Sequence, residues 1–371
     1  MRIGIDAKWF FNGPPSGKIV VQNLIKHLIL TNEDHDLYLF LDNNDKDTPF
    51  PYSNKRVHLE YVWANNNLLS NLFVIPLCAF KLKLDIVIFQ NFSPLISNFK
   101  RYSYVHCVLF KSNPEYFTFK ERLYFAPLKL MCLMSHGICT VSKSEKTRMI
   151  EYGYGTDSNI DVIYHGIDER FKPRQLHDPN MLENIRAKYN LPDKFLLYVG
   201  RLNVVKNISN LIKSLPHLKE KIPLVIVGDY DWKMTNLDAL VKDLQLEDRI
   251  LFAGAVYGVD LSYIYSVASI FCFPSYEESF GLPALEAMAS GVPVVVSNRS
   301  SLPEICGDAG NYVNPDSPEN IAEVIDELLD DDNLRERKQI MGLARAQQFK
   351  WEFSARDLVR NALIVCGTSK T

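Results

Sequence analysis

The chain has 371 residues and a formal net charge of −3. A single hydrophobic core usually stops growing at about 250–300 residues, so this length predicts two domains. The hydrophobic share of 47% and the charged share of 23% are those of a globular protein. A net negative charge provides no overall positive field, which argues against nucleic acid as a partner.

Short apolar runs alternate with helix-period segments, which is typical of parallel α/β sheets. In the first half, a strand at 3–7 and a Gly/Pro/Ser loop at 12–17 precede a helix over 19–30. Ser142 is the expected N-cap of a later helix over 143–152. The remaining strands of this half are predicted at 37–41, 85–89, 104–109, 137–141 and 160–163. The strands of the second half are predicted at 195–200, 224–227, 250–253, 269–273 and 292–296.

This pattern predicts a Rossmann-like domain over 1–168, a linker over 169–193 and a second Rossmann-like domain over 194–348. Two consecutive βαβ halves favour a bilobed enzyme with a cleft between its domains.

The chain shows none of the usual signs of secretion or membrane insertion. Its 7 cysteines form no CxxC pair, which favours a reducing cytoplasm over a disulfide framework. The N-terminus has no signal-peptide pattern, and no apolar run reaches the ~20 residues of a spanning helix. Residues 68–80 are strongly apolar but contain Pro76. We favour a buried helix there, with peripheral contact at the inner face of the cell membrane as the alternative.

Two glutamates eight residues apart lie in the segment 278–286, ESFGLPALE. Pro283 suits the first turn of a helix, where its missing N–H would be unpaired anyway. Three backbone amides would then lie near the helix N-terminus and could bind an anion, those of Phe280, Gly281 and Leu282. Because carboxylates accept paired O–H donors, Glu278 and Glu286 are candidate ligands for a hydroxyl-rich molecule.

The segment 200–207, GRLNVVKN, directly follows the strand predicted at 195–200. Proteins with α/β sheets bind ligands at such strand ends. Arg201 offers a planar fork of donors and Lys206 a compact positive charge. Both suit a diphosphate leaving group that becomes more negative as its bond to a sugar breaks.

These segments resemble the EX7E-containing family of retaining, metal-independent glycosyltransferases, and the resemblance extends over essentially the whole chain. It implies an α/β fold of the GT-B type, in which two Rossmann-like domains with parallel sheets face an interdomain cleft. The N-terminal domain would bind the acceptor and the C-terminal domain the nucleotide sugar. The tail 349–371 would form a helix that returns to the N-terminal domain.

The resemblance also implies roles for the matching residues. Arg201 and Lys206 would bind the donor diphosphate, and Glu278 would contact the transferred sugar. Glu286 would hold the ribose hydroxyls, while the amides of residues 280–282 would approach the sugar and phosphate.

Two positions depart from the family pattern. The family often has Gly-x-Gly-Arg in its first loop, whereas this chain has SGKI at 16–19. Gly17 and Lys18 stay candidates for an acceptor or phosphate loop. The family's active-site histidine is commonly followed by Asp, whereas Cys107 follows His106 here. We interpret His106 as a sugar-contacting catalytic residue, with a core histidine as the alternative.

The resemblance implies hexose transfer with retention of anomeric configuration. The nucleoside diphosphate would leave and the acceptor would attack on the same face of the transferred sugar. The leaving diphosphate would accept the proton of the acceptor hydroxyl. GDP-mannose is the first choice of donor, because the segment 106–117 resembles the mannosyltransferase-like branch of the family. UDP-hexoses are the alternative. The acceptor would be a saccharide or lipid-linked saccharide of cell-envelope polysaccharide biosynthesis. No cofactor and no metal are expected.

Three other functions stay open. A metal-dependent GT-A-type transferase would use an Asp-x-Asp sequence such as Asp229-Tyr230-Asp231. A nucleotide-sugar epimerase would need no acceptor, and a catalytically inactive scaffold would only bind a nucleotide sugar.

Overall fold

The computed structural model describes residues 1–229 and 237–367, and the chain divides into two compact units. Unit 1 comprises Met1–Gly166 with Lys350–Thr371, and unit 2 comprises Ile167–Phe349. The segment predicted as a linker, 169–193, lies within unit 2, and its residues Pro179–Lys188 form a helix with a buried apolar face.

The described part of unit 1 contains a sheet of seven parallel strands in the order β3-β2-β1-β4-β5-β6-β7. The strands are β1 (Arg2–Asp6), β2 (Asp36–Asp42), β3 (Val57–Val62), β4 (Ile86–Gln90), β5 (Lys100–Val105), β6 (Gly137–Thr140) and β7 (Ile160–Val162). The first helices are α1 (Pro15–Thr31), α2 (Asn67–Leu69), α3 (Ile75–Lys81), α4 (Leu109–Ser112), α5 (Phe119–Phe125), α6 (Leu128–Met134) and α7 (Lys143–Glu151). A π-helical stretch, Ser70–Val74, joins α2 to α3.

The described part of unit 2 contains a six-stranded parallel sheet in the order β10-β9-β8-β11-β12-β13. The strands are β8 (Leu196–Val199), β9 (Leu224–Val227), β10 (Ile250–Gly254), β11 (Ile270–Phe273), β12 (Val294–Ser297) and β13 (Gly310–Val313). The helices are α8 (Pro179–Lys188), α9 (Ile208–Ser214), α10 (Leu237–Asp243), α11 (Gly258–Val267), α12 (Leu282–Ala289), α13 (Leu302–Cys306), α14 (Pro318–Asp330) and α15 (Asp332–Ala346). The last helix, α16 (Trp351–Val365), belongs to unit 1 and packs on α1.

Each sheet has one position where the strand order reverses, between β1 and β4 in unit 1 and between β8 and β11 in unit 2. The loops after such neighbouring strands diverge, which opens a crevice at the carboxyl ends of the strands. Side chains in these loops are therefore the first candidates for ligand contacts.

Two predicted elements differ from the structure near the candidate residues. The strand predicted at 104–109 ends at Val105, because the N–H of His106 donates to the side chain of Asn91 at 3.1 Å instead of continuing the sheet. Helix α1 begins at Pro15 rather than at residue 19, since proline fits the first turn of a helix. Gly17 and Lys18 therefore lie in a helix and not in the predicted loop.

The indole ring of Trp9 packs against Gly17 and leaves no room for a side chain there. A Cβ at this position would lie 2.8 Å from Cε3 of Trp9. We expect Gly17→Ala to lower the free energy of unfolding by about 1 kcal/mol or more, although alanine favours helices.

The control is Gly342→Ala in α15, where the new Cβ would lie 3.4 Å from its nearest neighbour, Cγ of Met288. That substitution should stabilise by about 0.4–1 kcal/mol. Urea denaturation measures both, and equal effects would contradict the packing explanation.

Candidate functional site

The loop after β8 presents the two predicted cations of unit 2. Arg201 is exposed, and Lys206 ends a short 3-10 turn, Val204–Lys206. The side chain of Asn203 caps this turn by accepting from the N–H of Lys206 at 3.1 Å. Asn207 then adopts a left-handed conformation (φ 55°) and donates to the carbonyl of Pro274 at 2.9 Å. The loop after β8 is thereby tied to the loop after β11.

The predicted glutamate of the second loop contacts one of these cations. The Nζ atom of Lys206 forms an ion pair with Oε1 of Glu278, whose carboxylate is nearly buried. Lys206 lies 72 residues earlier in the chain. The structure thus brings together a cation predicted for phosphate and a carboxylate predicted for sugar.

The main chain around Glu278 is held by two serines that follow β12. The hydroxyl of Ser301 donates to the carbonyl of Glu278 at 3.1 Å and to that of Phe280 at 2.9 Å. Ser300 also donates to the Glu278 carbonyl. Gly281 has a φ of 101°, which strongly favours glycine, and helix α12 begins immediately after it. The three predicted amides of residues 280–282 therefore lie at the start of α12.

Glu286 lies inside α12 and has a different set of neighbours. It is 7% exposed and accepts a hydrogen bond from the hydroxyl of Tyr265 at 3.0 Å. Burial raises its pKa to about 7, while Tyr265 and the positive charge of Arg170 act in the opposite direction. Arg170 is itself paired with Asp168 at 2.5 Å. Glu286 can therefore change its charge near neutral pH.

In unit 1, a buried ion pair lies at the end of β1. The Nζ atom of Lys8 lies 2.6 Å from Oδ1 of Asp6, and both side chains are 2% exposed. Asn71 accepts from Lys8 at 2.5 Å and donates to Asp6 at 2.9 Å. Burial lowers the pKa of Lys8 more than the nearby Asp6 raises it.

His106 lies directly after β5 and next to this ion pair's hydrogen-bond network. Its Nε2 atom is 2.6 Å from Oε1 of Gln90, the last residue of β4. Tyr104 stacks on the imidazole with a centroid distance of 4.7 Å, and His165 lies at 6.4 Å. Burial lowers the pKa of His106 to about 4, although Asp6 raises it in part. His106 is therefore a neutral imidazole at pH 7.

In unit 1, Trp9 lies between two predicted site regions, the segment with Gly17 and Lys18 and the residue His106. Its ring packs against Gly17 and lies 5.8 Å from the ring of His106. Lys18 is half-buried, and its charge lowers the pKa of Asp45, although burial raises that pKa overall.

Several residues of these clusters are not predicted from the sequence: Asp6, Lys8, Asn71, Gln90, Arg170 and Tyr265. Polar side chains at or just after the end of a predicted strand are a usable signal for Asp6, Lys8 and Gln90, whereas Asn71 and Tyr265 lie in helical segments. In the Asp-x-Asp sequence, Asp229 accepts from Tyr257 at 3.2 Å, while Tyr230 and Asp231 lie outside the described residues.

Known families match both halves of the chain. The model of glycosyl transferases group 1 matches residues 182–341, and that of glycosyltransferase family 4 matches residues 18–171. The O-antigen chain mannosyltransferase B of Escherichia coli is 41% identical over 221 residues, which are 58% of this chain and 57% of that protein. The chain thus spans little more than half the length of this relative.

Two solved structures share the fold along the whole chain. Sucrose-phosphate synthase from Thermosynechococcus elongatus has a TM-score of 0.79 at 20% identity, with 100% of both chains covered. Anabaena HepE in complex with UDP and glucose has a TM-score of 0.74 at 19% identity, with 97% and 98% covered. The fold prediction is confirmed, and the chain belongs to the group 1 glycosyltransferase family with the GT-B fold.

Proposed function

We propose that the chain is a retaining hexosyltransferase that uses a nucleoside-diphosphate sugar and needs no metal ion. The contact between Lys206 and Glu278 is the observation that supports this proposal, because a cation suited to a phosphate lies beside a carboxylate suited to sugar hydroxyls. The product belongs to cell-envelope polysaccharide biosynthesis, with a saccharide or lipid-linked saccharide as the acceptor.

The proposed roles follow the positions of the side chains in each unit. In unit 2, Arg201 and Lys206 bind the diphosphate, and Glu286 accepts the two ribose hydroxyls. Glu278 contacts the transferred sugar. In unit 1, His106 contacts a saccharide hydroxyl as a neutral imidazole. The protein positions the reactants and stabilises developing charge, while the leaving diphosphate accepts the proton of the acceptor.

The donor is proposed to be GDP-mannose. The mannosyltransferase relative supports mannose, whereas HepE is a structural neighbour with UDP and glucose bound. The two donors are therefore compared directly. Because a donor binds only the folded protein, a concentration of about 100 times its Kd adds about 2.7 kcal/mol of stability.

The decisive experiment measures melting temperature with GDP-mannose, UDP-glucose, ADP-glucose and dTDP-glucose, each with and without a chelator. We expect GDP-mannose to raise the melting temperature, with the same shift when the chelator is present. Arg201→Ala should lose the shift and keep its ligand-free melting temperature. Failure of all four donors would contradict the proposal.

Product analysis by NMR separates the remaining alternatives. The expected product keeps the anomeric configuration of the donor and forms only when an acceptor is present. Isomerised donor without acceptor would indicate an epimerase, and binding without transfer or hydrolysis would indicate a scaffold. The GT-A alternative is wrong, because the chain has the GT-B fold.

The activity should depend on the charge of Glu286. Its carboxylate must be ionised to accept two ribose hydroxyls, and burial raises its pKa to about 7. We expect kcat/KM for the donor to fall about tenfold per pH unit below pH 7, since this constant reports on the free enzyme. Glu286→Gln should have a low kcat/KM without this acidic limb.

The same substitution should leave the fold intact or stabilise it. Because the folded-state pKa lies above the unfolded one, ionising Glu286 costs stability as the pH rises from about 4.5 through 7. We expect Glu286→Gln to melt above the wild type at pH 8, with a difference that shrinks at pH 5. A variant that melts below the wild type at pH 8 would contradict the burial argument.

We further propose that exposed apolar side chains of unit 1 contact an anionic membrane surface. The prediction of a buried helix at 68–80 is wrong for one face of this segment, which is exposed. Nine apolar side chains in 68–80 and 119–134 are 40–71% exposed: Leu69, Phe73, Leu77, Phe80, Phe119, Leu123, Leu130, Leu133 and Met134. Five exposed basic residues flank them: Lys81, Lys83, Lys120, Arg122 and Lys129. No helix within the described ranges combines the length and apolar character needed to cross a bilayer.

Vesicle flotation tests this contact. We expect the protein to float with vesicles that contain phosphatidylglycerol, and to bind phosphatidylcholine vesicles weakly. A double substitution, Phe73→Ser with Leu77→Ser, should abolish flotation. Ile340→Ser in α15 removes an equally exposed side chain of unit 2 and should not. Equal flotation of both variants would contradict the assignment.

A further inference from the structure

The contact between Gln90 and His106 determines which imidazole nitrogen carries the proton. The Oε1 atom of Gln90 lies 2.6 Å from Nε2 of His106. An amide oxygen accepts hydrogen bonds and does not donate them, so Nε2 must be protonated. A neutral imidazole then has its lone pair on Nδ1.

Gln90 is well placed for this contact because its backbone is held from both sides. Its N–H donates to Asp6 at 3.4 Å, and its carbonyl accepts from Asn71 at 3.4 Å. Lys8 binds both of these partners, at 2.6 and 2.5 Å. Since all four side chains are buried, a shift of Gln90 would break several hydrogen bonds at once.

The neighbouring ionisable groups leave His106 uncharged. Asp6 is neutralised in part by its ion pair with Lys8. Tyr104 stacks on the ring, and burial raises its pKa well above the usual value. Burial also lowers the pKa of His165 well below its usual value, and His106 lowers it further.

We propose that Gln90 is a positioning residue that fixes the Nε2–H tautomer of His106, so that Nδ1 accepts a hydrogen bond from a hydroxyl of a bound saccharide. The identity of that hydroxyl rests on the proposed function, whereas the tautomer does not. The contact also explains how His106 is oriented in a chain where Cys107, and not Asp, follows it.

NMR of protein labelled with 15N-histidine tests the tautomer without any assay of activity. The His106 signals are assigned by their loss in His106→Asn. At pH 7 we expect a neutral ring with its proton on Nε2 in the wild type and a mixture of both tautomers in Gln90→Leu. A proton on Nδ1 in the wild type, or an unchanged tautomer in Gln90→Leu, would overturn the proposal.

Gln90→Glu gives an independent test, which can be used even if Gln90→Leu does not fold. Its carboxylate still accepts from Nε2 but adds a negative charge, which favours the imidazolium. We expect the midpoint of the His106 titration to move to higher pH, and kcat to fall as the pH drops below this new midpoint. Gln347→Glu makes the same change at an exposed position and should move neither. An unchanged titration in Gln90→Glu would overturn the proposal.

Steady-state kinetics then show whether Gln90 positions His106 for the reaction or only stabilises the fold. With saturating donor, Gln90→Leu should lower kcat about tenfold and leave the donor KM within about twofold. A lower melting temperature with unchanged kcat would show a structural role only. If no transfer is found in the wild type, the proposed function fails while the NMR result still decides the tautomer.

Discussion

Replacing Glu278 by glutamine is expected to lower kcat about a hundredfold and to leave the donor KM within about threefold. Its carboxylate is nearly buried and paired with Lys206. We assign it to the transferred sugar, where positive charge builds as the anomeric bond stretches. The negative charge therefore stabilises the transition state more than the bound donor. Steady-state kinetics with saturating acceptor measure both constants.

Two further variants make this result specific. Glu327→Gln removes a charge from an exposed position of α14 and should change neither constant. Glu286→Gln should mainly raise the donor KM, because the ribose does not change charge during the reaction. If the two site variants exchanged their effects, the placement of sugar and ribose along 278–286 would be reversed.

Replacing Lys8 by methionine is expected to lower the free energy of unfolding by about 3–5 kcal/mol. The substitution keeps an unbranched side chain of nearly the same length but removes the ammonium group that binds Asp6 and Asn71. The carboxylate of Asp6 would then be buried without its ion pair. Three of the four tryptophans belong to unit 1, Trp9, Trp63 and Trp351, so that urea unfolding followed by tryptophan fluorescence reports mainly on this unit.

A double variant distinguishes the lost ion pair from poor packing. Asp6→Asn combined with Lys8→Met removes both charges and should be more stable than Lys8→Met alone. Lys46→Met, at an exposed position, should be within about 0.5 kcal/mol of the wild type. A double variant less stable than Lys8→Met would show that packing, and not the unpaired carboxylate, dominates.

Much of unit 2's candidate site could be predicted because its residues lie in two short segments. Arg201 and Lys206 lie within seven residues of the end of β8. The segment that contains Glu278 and Glu286 begins soon after the end of β11. The end of a strand, a glycine turn and the start of a helix are local features. Each depends on the backbone conformations that residues close in the chain prefer. Their contact across the sheet could not be read from the sequence, because it depends on β8 lying beside β11.

The alternation of strands and helices, the family resemblance and the positions of His106 and the two glutamates could be read from the amino-acid sequence. The surroundings of these side chains could not. Asp6 and Gln90 are far apart in the chain and meet because β1 pairs with β4, while the π-helical stretch Ser70–Val74 brings Asn71 to both. Only the packed structure shows that one face of 68–80 is exposed and that Glu286 is buried. Burial and pairing depend on which distant segments share a surface, and those contacts set the charge and protonation of a side chain.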